Sequence, residues 1–399
     1  MSAIAFCVFG TAGDILPCIP VAQSLESRGH VVTFVTPRWL GLYSRLAGYS
    51  TISIGDGAEK SALTDLPMYT TRFDGMDSWR RSMVKYVFPL LSRNYDAVLN
   101  QIEHLAPDLI ITTAQGYWGA LAATELGIPW SSFHLYPQLF ERHRRRALGD
   151  LSTSTYARPL ADWLIAQEVR LGLPRSRIPV IDWSVNNTIT VSGHDPAVVQ
   201  FRHENIATLG FPYWDDVFSN AAAVAEAVDF LNASTVPRVV VSLGSFIGLI
   251  DSKFWRSMKK TGLENRGRFL FVGLGESDRD LVNGANVRAV SHVPLSTVLP
   301  SADLMIHHGG IGSTYAALNA GIPALLFPHA FDQSYNMRLV ERLGVGSPLG
   351  LDQGTWGDAI TRTLEDESIV RRAKQLSSRL VPAAEAANLI SQRLSEAWI

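Results

Sequence analysis

Residues 304–336 read LMIHHGGIGSTYAALNAGIPALLFPHAFDQSYN. The apolar run Leu304 to His307 has the character of a buried strand, and the chain then turns through Gly309, Gly310 and Gly312. Ser313 and Thr314 fall where a helix should begin, as N-cap or first-turn residues. Glycines admit close backbone approach and helix N-terminal amides favour anions, so the turn reads as a phosphate cradle. His308 at its rim can hydrogen-bond or neutralise a diphosphate. The next strand, Ala324 to Phe327, runs into Asp332-Gln333. That puts an acid and an amide at the carboxyl edge of a sheet, where open α/β folds bind ligands. Together they offer acceptors and donors suited to sugar hydroxyls.

The same alternation extends in both directions. Ile4 to Phe9 reads as a strand, Gly10 to Gly13 as a turn, Ile15 to Arg28 as a helix and Val31 to Val35 as a strand, which is a βαβ unit. Leu109–Thr112, Trp130–His134 and Thr188–Ser192 follow as strands, the last closing this half, with a helix over Trp118–Leu126. An alanine-rich helix over Ala221–Leu231 precedes a second series, with strands at Val239–Leu243, Phe269–Val272 and Val287–Val290 before the quoted segment. Two such series predict an α/β fold of two Rossmann-like, doubly wound domains facing across a cleft.

Composition narrows the partners. With 399 residues, 47% hydrophobic and 18% charged, the chain suits two globular domains, and a net charge of −2 leaves no footprint for nucleic acid. The two cysteines, Cys7 and Cys18, make neither a disulfide framework nor a metal cage, and Cys7 reads as core. No apolar run approaches the ~20 residues that span a bilayer, and Met1 to Phe9 reads as a strand and not as a signal peptide. A cytoplasmic enzyme, monomer or weak dimer, is the expectation.

Spacing makes the phosphate turn specific. His308-Gly-Gly310-Ile-Gly312-Ser313-Thr314, with Asp332-Gln333 beginning 24 residues after the histidine, resembles the donor signature of the inverting glycosyltransferases. That family includes plant secondary-product, macrolide, sterol and glycopeptide-antibiotic enzymes. The opening 9-FGTAGDILP-17 is similar to the Gly-Thr-x-Gly-Asp-x-x-Pro start of the sterol and glycopeptide branch. Ser242-Leu-Gly244-Ser245 looks like the family's loop that meets the diphosphate, and 291-SHVPLSTVLPSADLMIHHGG-310 like its base-recognition region.

The resemblance implies a GT-B fold. Residues 1–210 would hold the acceptor and 238–382 the donor, with 211–237 as linker and 383–399 as a helix crossing back. It implies transfer of a hexose from a UDP- or dTDP-sugar to a hydroxyl of a small, apolar or secondary-metabolite acceptor, with inversion and without metal or cofactor. Donor contacts would come from Gly13, Ser245, His292, Val293, His308, Gly310, Gly312, Ser313, Thr314, Asp332 and Gln333. Two positions depart from the plant pattern: Ala316 replaces the glutamate that holds ribose, and His292 replaces a base-stacking tryptophan. Both point to the bacterial branch.

An acceptor hydroxyl needs a base, and Asp14 in the first turn matches that role; as an aspartate after Gly13 it also suits a helix cap. Trp118, His134 and Tyr136 follow strands of the first half and read as acceptor contacts or as core, as do Tyr117 and Phe140. Arg142 to Arg146 reads as a solvated face or a contact for an acidic acceptor or membrane surface, and 56–80 as a loop over the acceptor. Rival functions are a nucleotide-sugar epimerase, a non-catalytic helper of a partner transferase, and, more weakly, a dehydrogenase.

Overall fold

The computed structural model describes residues 1–55, 88–113, 116–135, 189–199, 206–216, 220–233, 235–244, 252–264, 267–276, 279, 282–329, 332–350 and 352–396. The chain divides into two compact units. One comprises the described residues up to Trp214 together with those from Val381 onward; the other runs from Asp215 to Leu380. Each is a Rossmann-like domain built on a parallel sheet.

In the first unit the strands are β1 (Ala3–Cys7), β2 (Val31–Pro37), β3 (Ser50–Ile54), β4 (Leu109–Thr113), β5 (Trp130–His134), β6 (Ile189–Ser192) and β7 (Ile206–Thr208). They lie in the order β3-β2-β1-β4-β5-β6-β7, every pair parallel. The central strands β4 and β5 are buried along their whole length, as a sheet covered on both faces requires. The predicted helix over 15–28 is divided into Ala12–Ile15 and Cys18–Ser27. Pro17, at the break, has no N–H for the helical ladder.

In the second unit β8 (Arg238–Ser242), β9 (Arg268–Val272), β10 (Val287–Val290), β11 (Leu304–His307), β12 (Ala324–Leu326) and β13 (Gly346–Pro348) take the order β10-β9-β8-β11-β12-β13. Again every pairing is parallel. In both sheets the strand order reverses beside the first strand, between β1 and β4 and between β8 and β11. Such a switch point opens a crevice at the carboxyl ends of the strands.

Three strands were not anticipated: β3, β7 and β13. All lie at or next to sheet edges, where a strand is short or half exposed and its apolar signal is weak. The stretch 211–237, expected as a linker, contains a helix of the second unit, Ala221–Asn232. Its buried Ala227, Phe230 and Leu231 make one apolar stripe, and Arg268 donates to the Phe230 carbonyl at 2.9 Å while covering the ring.

After Leu380 the chain joins the first unit. Asp195, buried, accepts from the Val381 N–H at 2.7 Å and from the Ala197 N–H at 2.8 Å. The helix Ala383–Ser395 then packs on Cys18–Ser27, where Ser24 donates to Asn388 at 2.6 Å. No helix among the described residues is long and apolar enough to cross a membrane.

Candidate functional site

At the switch point of the second unit Ser242 is in register with His307, so the turns that follow β8 and β11 start side by side. The His308 ring lies between two glycines from these turns. A β-carbon on Gly244 would come within 2.4 Å of its Cε1, and one on Gly310 within 2.3 Å of its Nε2. Gly244 also has φ +73°, which a larger residue adopts only with strain. Burial, and then the neighbouring His329, push the His308 pKa down to about 3. In the free chain the imidazole is therefore neutral at pH 7.

His307 points its Nδ1 at the Gly309 N–H, 3.0 Å away, which leaves the proton on Nε2. Its pKa is also pushed down to about 3, by burial and then by His308.

Gly310 is the N-cap of the helix Ile311–Ala320, so Ser313 and Thr314 stand at its third and fourth positions. The Thr314 hydroxyl donates to the Gly310 carbonyl at 2.9 Å within its own helix. The first-turn amides of Ile311, Gly312 and Ser313 have no intrahelical acceptor. A β-carbon on Gly312 would meet nothing within 4 Å, so no packing among the described residues explains that glycine.

Asp332 is the N-cap of the helix Gln333–Leu343, and both Asp332 and Gln333 are buried. Gln333 Oε1 accepts from the His329 N–H at 2.6 Å. The Asp-Gln pair touches the glycine turn directly: a β-carbon on Gly309 would stand 2.8 Å from the Gln333 carbonyl oxygen. Asn336, one turn along that helix, donates from Nδ2 to the Gly309 carbonyl at 2.8 Å and to Asp332 Oδ2 at 2.7 Å. It was not singled out beforehand, although the Asp-x-x-x-Asn spacing puts both residues on one helical face.

His292 and Val293 lie between β10 and the short helix Leu295–Val298. Val293 is buried, so its side chain is core and only its backbone is left for recognition. Burial lowers the His292 pKa, with Asp215 acting the other way. Asp215 accepts from the Ser296 N–H at 3.0 Å and from its hydroxyl at 2.6 Å, anchoring this segment.

In the first unit Asp14 is the third residue of the helix Ala12–Ile15 and is 3% exposed. Its Oδ2 accepts from the Thr11 N–H at 2.6 Å and from the Thr11 hydroxyl at 3.1 Å, so Thr11 is the N-cap and Asp14 the residue that reaches back to it from inside the helix. Gly10 lies against the carboxylate, and its carbonyl accepts from Trp39 Nε1 at 3.2 Å. Gly13 meets no such constraint: a β-carbon there would come no closer than 3.6 Å to Thr11 Oγ1.

Trp118 is 1% exposed and packs edge-on to Phe9 within the core, because the inward face of its helix covers β1 and β4. His134 is 0% exposed at the end of β5. Both side chains are buried, the core reading of the two that the sequence offers. Ser245, Tyr136, Phe140, Arg142 to Arg146 and the loop 56–80 lie outside the described residues, as does the side chain of Tyr117.

Known proteins match this chain along its length. A family model, the C-terminal domain of erythromycin biosynthesis protein CIII-like proteins, matches residues 272–394. An uncharacterized glycosyltransferase of Mycobacterium tuberculosis is 25% identical over 98% of this chain and 97% of its own. The elloramycin glycosyltransferase of Streptomyces olivaceus is 26% identical over 94% of each chain. Among solved structures, a Streptomyces sp. SF2575 glycosyltransferase complexed with thymidine diphosphate superposes with a TM-score of 0.71 at 20% identity, over 98% of this chain and 100% of the other.

Proposed function

Since this chain belongs to the GT-B glycosyltransferases that include the sterol and antibiotic-biosynthesis enzymes, we propose that it moves a hexose from a UDP- or dTDP-sugar to a hydroxyl of a small apolar acceptor. The observation that carries the donor assignment is the second unit's switch point. There a neutral imidazole, a helix N-terminus with unpaired amides and the buried Asp332-Gln333 pair converge on one glycine turn.

In this reaction the acceptor oxygen bonds to the anomeric carbon as its proton passes to the Asp14 carboxylate. The bond from that carbon to the diphosphate oxygen breaks, and its electron pair leaves with the nucleoside diphosphate. Attack from the face opposite the leaving group inverts the anomeric centre. Negative charge growing on the diphosphate is met by the first-turn amides and by hydrogen bonding from His308, with no metal required. Asp332 and Gln333 hold the sugar hydroxyls, and the backbone at His292 and Val293 meets the base.

A panel of UDP, dTDP, GDP and ADP, read by thermal shift and followed by calorimetry, tests the donor assignment. Stabilisation by a pyrimidine diphosphate is expected; none by any of the four would overturn it. Product analysis by NMR then tests inversion: an α-linked donor must yield a β-linked product. Incubation with donor alone should leave its sugar unchanged, which separates transfer from epimerisation.

A further inference from the structure

We propose that Asn336 is a positioning residue that locks Asp332 to the glycine turn, so that the sugar contact and the diphosphate cradle keep one fixed relation. This rests on the donor assignment above and adds a residue to it. Asn336 is 0% exposed, and its Nδ2 carries two protons. Both partners, the Asp332 carboxylate at 2.7 Å and the Gly309 carbonyl at 2.8 Å, only accept. The amide nitrogen must therefore face them, and each acceptor takes one proton. No apolar residue and no acceptor-only residue serves both.

As an N-cap Asp332 stands in αR conformation, and its side chain makes no capping bond to the backbone of its own helix. The Asn336 amide donates to its carboxylate from one turn along instead. The far end of the clamp is the residue that packs against Gln333 and follows His308. One side chain thus joins motif halves that are 24 residues apart in sequence.

The test is calorimetric titration of the full chain and its Asp332→Ala, Asn336→Ala and doubly substituted variants with UDP, dTDP, UDP-glucose and dTDP-glucose. Losing a hydrogen bond to a charged group should weaken the sugar-bearing donor roughly tenfold or more in Asn336→Ala. The double variant should bind that donor no more than about threefold worse than Asp332→Ala, because Asn336 acts through the carboxylate already removed. Independent, multiplying losses would overturn the proposal.

Asn336→Asp gives a second readout, which survives if the alanine variant does not fold. The introduced carboxyl faces Asp332 at hydrogen-bonding distance, and two such groups retain a shared proton well above the usual carboxylate range. Protonated, it donates again. Sugar-donor affinity in Asn336→Asp should therefore recover as pH falls from 8 to 5. His307, His308 and His329 border this site and are pushed down to about 3, 3 and 4, so they stay neutral over that range. A loss that is flat with pH would overturn the clamp. If the unsubstituted chain binds none of the four probes, the donor assignment itself fails and the clamp's role with it; additive losses with intact parental binding overturn Asn336 alone.

Discussion

Gly10 lies directly against the Asp14 carboxylate: a β-carbon on Gly10 would stand 2.1 Å from Oδ2 and 2.4 Å from Cγ. The backbone at Gly10 has φ +130°, and Trp39 holds its carbonyl from the other side. The carboxylate is thus bounded by the glycine and tied by Thr11, so its orientation is set before any acceptor arrives. Two consequences follow for the proposed base.

Asp14→Asn keeps an oxygen able to accept from the Thr11 N–H, the contact that a residue at the third helical position makes back to the N-cap. The fold should hold, with nucleotide affinity within a few-fold of the parent. Turnover should fall by ~10² or more, the usual scale for a lost general base. Single-turnover kinetics check this; a rate within tenfold of the parent removes Asp14 from that role.

Gly10→Ala should lower turnover by a comparable factor without touching the carboxyl itself. The methyl group must push Asp14 aside, and alanine at positive φ adds strain of about 1–3 kcal/mol. A melting curve reads the strain, and kcat reads the displacement. Full activity with an unchanged Tm would show that the turn relaxes and that Gly10 does not hold Asp14 in place.

His308→Ala should weaken UDP or dTDP roughly ten- to a hundredfold, from a lost hydrogen bond to a charged group worth about 1.5–3 kcal/mol. Because the ring is neutral, the parental affinity should show no step near pH 6.5 that belongs to this histidine. Titrations at pH 5.5 and 8 with equal ionic strength check both statements. A histidine-dependent rise in affinity at the lower pH would mean that the ring binds as a cation.

Burial also makes these histidines a source of acid lability. His307 is pushed to about 3 in the folded chain against 6.5 when unfolded, so below pH 6.5 the unfolded state takes up the extra proton. Stability is complete above that value and is lost as pH falls, by about 2 kcal/mol for one such group at pH 5. His307→Asn keeps an acceptor for the Gly309 N–H and removes the titration. Its Tm should fall less between pH 7.5 and 5 than the parent's. Parallel slopes would rule out His307 as a contributor.

Chelator should change the transfer rate little if, as proposed, the amides at the start of Ile311–Ala320 and the His308 ring meet the departing diphosphate. Activity lost in EDTA and restored by magnesium or manganese would assign that task to a metal.

Local spacing carried most of the glycine turn after β11. His308, Gly310, Gly312 and the Asp332-Gln333 pair can be read in the sequence because a strand end, a glycine turn and a helix start impose residue types at short, fixed offsets. The two α/β series were legible for the same reason. Edge strands β3, β7 and β13 were not, since a short or half-exposed strand has no strong apolar signature. Burial of Trp118 and His134 was hidden as well, because an aromatic or a histidine after a strand looks alike whether it faces a ligand or the core.

Only the tertiary structure decided which distant segments meet. Pairing β8 with β11 brings Gly244 against His308 across more than sixty residues of chain and shapes the ring's slot, while burial and then His329 lower the ring's pKa. Asn336 reaching Gly309, and Asp195 holding Val381, have the same origin. Sequence offsets specify turns and helix faces, whereas strand order and burial specify neighbours. A residue's neighbours then set its charge state and its orientation.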